Sequence, residues 1–332
     1  MKHILCSLLL IVIFTRCKPN EGWPKLEGPY LGQQPPGRIP EIFAPGIIST
    51  GDNERYASFT PDGKEFFYQK SGRGYTTFIL YMNERNGEWQ KPMIAFFSGY
   101  PEYYDAAPIL SPDGKKLVLY SKRPKFASLE PEDNYDIWFV EKIKESWGTP
   151  INAGDAVNSP YSDEDATLAL NGNLYFSSNR PVDGSLNDWN IFCSRFENGE
   201  YKPAELLDSS VNTEHYEGHT FVAPDESYLM YTSSRPGFGD ADIWISFRND
   251  DGVWTEGVNL GPEINTDAHE VAPTVSPDGK YLFFHSNKLN PKSFAGKKFT
   301  YEEMESMLNS PGNGNGDIYW IDAKIIDELR PL

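Results

Sequence analysis

The 332 residues carry 48 acidic and 30 basic side chains, for a formal net charge of −18. No basic block interrupts that acidity, which argues against a nucleic-acid partner. Glycine (28) and proline (26) are abundant beside 14% aromatic residues, the balance of many short strands joined by many turns.

In chain order, residues 1–17 read as an export signal. Lys2 supplies the charged start and Leu8–Phe14 a short apolar run, with Cys17 close behind. The stretch resembles a bacterial lipoprotein signal, which implies lipidation of Cys17 and anchoring in the cell envelope. It departs from that pattern at Phe14-Thr15-Arg16, where a small residue is expected before the cysteine. An ordinary cleaved signal and a short uncleaved anchor stay open as alternatives. Lys18 follows the cysteine, so the Asp that retains some lipoproteins at the inner membrane is absent. No later stretch is long and apolar enough to span a bilayer. Cys6, Cys17 and Cys193 form no disulfide framework, and Cys193 is expected to pack as a small apolar side chain. Residues 18–40 contain six prolines, Pro19, Pro24, Pro29, Pro35, Pro36 and Pro40. They read as a tether with little regular structure.

From about residue 41 to 332 the chain repeats. The turn positions Gly63, Gly114, Gly172, Glu226 and Gly279 recur about every 54 residues. Each unit has a strand into the turn and a strand out of it, such as Leu117-Val118-Leu119 or Leu282-Phe283-Phe284. A third strand follows in Asp136-Ile137-Trp138, Asn190-Ile191-Phe192, Asp242-Ile243-Trp244 and Asp317-Ile318-Tyr319, with Phe78-Ile79-Leu80 in unit one. The fourth starts at an aromatic shortly before Pro or Gly: Trp89, Trp147, Tyr201 and Trp254. A four-stranded unit at this period predicts an all-β propeller of five blades. A sixth, degenerate blade is the alternative. Unit five lacks a fourth strand, and Ile42–Ile48 matches the missing piece. The N-terminal strand is therefore expected to close the ring, which removes an exposed sheet edge. Unit five also carries an insertion at 289–315 with a short helix capped by Thr300 and Glu303. A smaller insertion occupies Pro124–Asn134 in unit two.

Ser111-Pro-Asp-Gly-Lys115, Ser276-Pro-Asp-Gly-Lys280, Ser233-Ser-Arg-Pro-Gly237 and the Asp-Ile-Trp runs resemble the WD40-like repeats of the TolB propeller family. The resemblance spans about residues 40–322. It implies the propeller fold and a bacterial envelope setting, in the periplasm or at the outer membrane. It implies little about activity, because such repeats serve scaffolds, peptidase propellers and a polysaccharide lyase family.

Two columns could carry chemistry. An acid lies nine residues before each turn position, at Glu54, Asp105, Asp163, Glu217 and Glu270, and a base follows the turn at Arg123, Arg180, Arg235 and Lys288. Unit one has Gly72 and Arg73 there. The acids could form a channel-rim collar for Ca²⁺. The favoured expectation is a cross-strand ion pair in each blade, because unpaired carboxylates around one axis would repel. His215, His219 and His269 could converge as transition-metal ligands, provided that 215, 217 and 219 alternate along one strand face. Asn158-Ser159, Asn212-Thr213 and Asn265-Thr266 read as residues that close turns on their own backbone. No nucleophile elbow, phosphate loop or dinucleotide fingerprint occurs. The sequence thus points to a non-enzymatic, lipid-anchored, monomeric binding or scaffold propeller, engaging a protein or glycan at one face and needing no cofactor. The alternative is a carbohydrate-active lyase or hydrolase with a metal on the rim of units four and five.

Overall fold

The computed structural model describes residues 22–72, 76–125, 131–183, 189–289, 296 and 298–331. Cys6, Cys17, Arg73 and parts of both insertions lie outside them. The chain forms five antiparallel sheets arranged as a five-bladed propeller. The inner strands are Asn53–Phe59, Ala106–Leu110, Asp163–Leu168, Glu217–Val222 and Glu270–Val275. In each blade the second and third strands follow outward. The Ser-Pro-Asp-Gly turns all lie at one end of the ring, the turn face. The insertions and blade-to-blade connectors lie at the other, the loop face. Gly114 shows why the turns need glycine: its φ is +69°, and a Cβ there would stand 2.6 Å from Pro61 Cδ of the preceding blade.

The ring closes as expected. Glu41–Ile42 pairs with the third strand of blade five, Glu41 opposite Trp320 and Ile42 opposite Tyr319. The outer strands, however, differ from their expected places. Trp89, Trp147 and Tyr201 sit in short hairpin tips. The edge pairing resumes beyond the following Pro or Gly, at Met93–Ile94, Ile151–Asn152, Glu205–Leu206 and Val258–Asn259. Proline lacks the N–H that a continuous ladder needs, so it divides tip from edge.

Each blade joint holds its own apolar cluster. Phe67, Leu119, Trp138 and Trp147 bind blade one to two, while Met230, Ile243, Leu282 and Phe284 bind four to five. The joint between five and one is the most aromatic, with Phe43, Phe59, Phe66, Phe283 and Trp320. Part of the expected tether belongs to this joint: Trp23, Leu26 and Tyr30 pack on it, and Trp89 Nε1 donates to the Gly28 carbonyl at 2.9 Å. Apolar side chains among the prolines hold the segment against the ring. At the other terminus Lys324–Glu328 forms a short helix that buries Ile326 in the joint of blades four and five. In the insertion, Tyr301–Leu308 is a helix, N-capped by Thr300 in a capping box with Glu303.

The connectors repeat one device. Asn158, Asn212 and Asn265 each accept from the N–H and donate to the C=O of a third-strand isoleucine in the preceding blade: Ile137, Ile191 and Ile243. Ser98 accepts from Ile79 N, and Ser49 bonds both backbone groups of Ile318. These side chains fasten blade to blade, while Ser159, Thr213 and Thr266 close turns on their own backbone as expected, accepting from the N–H of Tyr161, His215 and Ala268. A side-chain amide has the donor and acceptor of a peptide unit, so it extends the ladder by one rung.

Candidate functional site

The five acids begin the inner strands and are at most 1% exposed. Arg123 pairs with Asp105, Arg180 with Asp163 at 2.6 Å, and Arg235 with Glu217 at 3.3 Å. Each guanidinium also donates to a connector carbonyl, that of Phe97, Val157 or Val211. In blade one the partner of Glu54 is Lys70, at 3.0 Å, in place of the expected Gly72–Arg73 position. In blade five Glu270 accepts from Thr266 and Ser286, and no described ion pair joins it to Lys288. The acids hold blades to connectors, Glu54, Asp163, Glu217 and Glu270 accepting from Thr50, Ser159, Thr213 and Thr266.

What lines the channel is the next column. Each inner strand bulges, with register shifts at Arg55/Ser58, Ala106/Ile109, Glu164/Thr167, Gly218/Phe221 and Val271/Thr274. The bulge residue has a left-handed backbone in all five blades: Tyr56 (φ 57°), Ala107 (51°), Asp165 (54°), His219 (49°) and Ala272 (55°). Such a conformation costs a non-glycine residue about 1–2 kcal/mol. Five repeats of it re-aim five side chains toward the axis.

Three of those side chains meet there. Tyr56 Oη donates to Asp165 and lies 2.6 Å from His219 Nδ1, while His219 Nδ1 lies 3.0 Å from Asp165 Oδ2. Blades one, three and four are thus tied across the axis, and the two alanines leave the room. Burial alone would raise the Asp165 carboxyl, but the His219 charge and the bonds from His219 and Tyr56 hold it below the usual carboxylate range. Its neighbour goes the other way. Burial, then the charges of Asp165 and Asp163, push Glu164 well up, with Lys122 opposing. Among the described residues nothing hydrogen-bonds the Glu164 carboxyl. Toward the turn face the channel continues as a cavity of about 140 Å³, lined by Phe59, Leu110, Leu168 and Phe221 with Pro61 and Pro112.

Half-buried aromatic rings surround the loop-side mouth. Tyr104 and Tyr135 pack together with Tyr120, at ring-centre separations of 5.2–6.5 Å. Tyr216 lies 6.2 Å from His219 and 6.4 Å from Trp189. Lys122 Nζ stands over Tyr135 at 4.7 Å.

The three candidate histidines separate. His219 is bound into the axial cluster. His215 precedes the strand, and its ring lies 4.0 Å from Glu214. His269 stays at the mouth, lowered by burial and by the charges of His219 and Arg55. The expected alternation fails at the bulge. Glu217 bonds Thr213, Ser233 and Arg235, while His219, two residues on, turns to the axis. Among the described residues no group of three or more His, Cys, Asp or Glu side chains could hold a metal ion. Cys193 is buried, as expected.

The column two residues after each acid is the signal that sequence reasoning passed over. It reads Tyr, Ala, Asp, His, Ala, whereas the acid two residues before it repeats in all five units. Arg55, Glu164 and the mouth tyrosines of blade two likewise escaped, because they lie at positions that differ between blades.

Among solved structures, the chain is similar to a thermostable family-43 glycoside hydrolase, with a TM-score of 0.52 and 15% identity over 83% of this chain and 90% of that one. It is similar to a putative TolB from Agrobacterium tumefaciens, with a TM-score of 0.47 and 15% identity over 82% and 90%. It is also similar to TolB from Acinetobacter baumannii, with a TM-score of 0.44 and 16% identity over 82% of this chain, and spans 57% of that chain. No family model and no curated protein matches the sequence. At these identities the likeness concerns the fold.

Proposed function

We propose that this five-bladed propeller is a binding protein of the bacterial cell envelope, anchored through a lipid on Cys17, that takes a glycan at the loop-side mouth of its axial channel. The observation that carries the reading is the ring of aromatic side chains, Tyr104, Tyr135, Trp189 and Tyr216, around a mouth whose floor offers polar groups. Sugar rings stack on aromatic faces and hydrogen-bond to such groups at their edge. The Pro-rich segment after Cys17 and the signal-like start support the anchor. No described helix is long and apolar enough to cross a membrane.

A carbohydrate-active enzyme is the second reading, favoured by two adjacent carboxyls driven in opposite directions, Asp165 down and Glu164 up. Most glycoside hydrolases use two carboxyl groups flanking the scissile bond. Asp165 is engaged by Tyr56 and His219, which leaves Glu164 alone and ranks binding first. Calorimetric titration of the full-length chain with a panel of oligosaccharides, combined with product analysis, tests both. Binding without turnover, weakened at least roughly tenfold by Tyr135→Ala, is expected. Cleavage that Glu164→Gln abolishes would instead establish the enzyme, and no binding to any glycan would refute both. Metabolic labelling with a fatty acid, lost in Cys17→Ala, checks the anchor.

A further inference from the structure

The mouth differs in charge from the rest of this acidic protein. Arg55 lies in the inner strand of blade one, opposite Gln69 and next to the bulge residue Tyr56. It is half-buried, and among the described residues its guanidinium makes no hydrogen bond or ion pair. Among the described residues, the arginines that follow the inner hairpins are committed: Arg123, Arg180 and Arg235 to the acids of their blades. The Arg55 charge acts on Tyr120 of blade two, Tyr216 of blade four and both His269 and His285 of blade five. Its neighbour Tyr56 reaches the axis, where it bonds Asp165 and contacts His219, so Arg55 lies in the strand beside that cluster.

The other charged groups there do not neutralise it. Asp165 is bound by Tyr56 and His219. Asp163 and Glu217 are paired with Arg180 and Arg235. Glu164 faces the mouth with its carboxyl shifted toward the protonated form. His269 and His285 are both lowered, first by burial. Lys122 adds a second cation beside Tyr135, and Asp240 acts on His269 from the loop of blade four. An anionic group entering the mouth meets one guanidinium free among the described residues, one ammonium and a carboxyl whose charge is disfavoured by burial.

We infer that the glycan of the preceding section is an acidic one, a sugar ring bearing a carboxylate, with Arg55 as the group that grips it. Guanidinium and carboxylate match as two parallel N–H···O bonds, and the pair is stronger where water is excluded. The aromatic rings then hold the sugar face while Arg55 fixes its orientation.

This inference rests on the glycan reading, and the test separates the two. The full-length chain is titrated with trigalacturonate and with its methyl ester, which keeps the rings and removes the charge. The free acid should bind roughly 10–100-fold more tightly than the ester, the range of a hydrogen bond to a charged group. Its affinity should fall with added salt. Arg55→Gln should erase the difference and leave the melting temperature within a few degrees. Equal binding of acid and ester to the wild-type chain would overturn the inference and leave the glycan reading standing. So would a preference that survives in Arg55→Gln. Failure of both ligands and of every other glycan would remove both, and binding of acidic peptides in their place would overturn the sugar.

Discussion

A buried arginine and a buried aspartate do different work in this molecule depending on what faces them. Arg123 is held by Asp105, Ser121 and the Phe97 carbonyl. Removing it leaves a buried carboxylate uncompensated, so Arg123→Ala should lower unfolding stability by about 3–5 kcal/mol. The exposed Arg38–Glu328 pair is the contrast, and Arg38→Ala should cost at most about 1 kcal/mol. Urea denaturation of both variants checks the ranking. Asp317 gives a pH dependence with a definite sign. Burial pushes its carboxyl up to about 7 from 3.8, so between those values the fold keeps a proton that the unfolded chain releases. Its effect is a loss of stability as pH rises across that window, complete above 7. Glu54, raised by burial, acts in the same direction. Asp165, held low, contributes stability that is present above the ordinary carboxylate range and lost as pH falls through its own value. In Asp317→Asn the decline between pH 3.8 and about 7 should flatten, and an unchanged slope would assign it elsewhere. Ala272 tests the bulges. At a φ of 55° glycine is relieved of strain that alanine bears, so Ala272→Gly should be neutral or stabilising by up to about 1 kcal/mol, against the usual loss.

At the scale of the element, the hairpin of each blade was legible from its turn. Pro presets the second turn position in every blade but the third, and Gly accepts the positive φ in every blade but the fourth, where Glu226 takes it. The acid–base column was legible for the same reason, since positions equidistant from a turn face each other. Two things were not. A β-bulge leaves no residue-type signature when the residue in the left-handed region is Tyr, Asp or His, and the bulge decides which side chain reaches the axis. The partner of a connector asparagine is likewise set by the neighbouring blade, which local spacing does not reveal. Asn212 is predicted to matter more than a turn residue would. Asn212→Ala leaves the N–H of Ile191 without its acceptor, while the C=O keeps the Leu207 N–H, a loss of about 1–3 kcal/mol. Amide exchange at Ile191 should accelerate selectively.

For the whole molecule, the count of blades and the closure by the N-terminal strand could both be argued from the repeats, because a missing fourth strand at one end and a spare strand at the other leave one economical solution. The packing of Trp23–Tyr30 on the ring could not, since proline content masks the few apolar side chains that do the packing. Phe43 lies at the centre of that closure, fully buried among Phe59, Phe66, Phe283 and Trp320. Phe43→Ala should cost about 3–5 kcal/mol. Function was least legible. It belongs to the positions where blades differ, and a repeat analysis averages over those positions. The central claim is that the ligand enters the loop-side mouth of the axis. Hydrogen exchange of the full-length chain, with and without the tightest-binding oligosaccharide of the panel, tests it most directly. Protection is predicted at residues 54–56, 104, 164–165 and 216–219. Protection confined to the turn face around Gly63, Gly114 and Gly279, with the mouth unchanged, would contradict it.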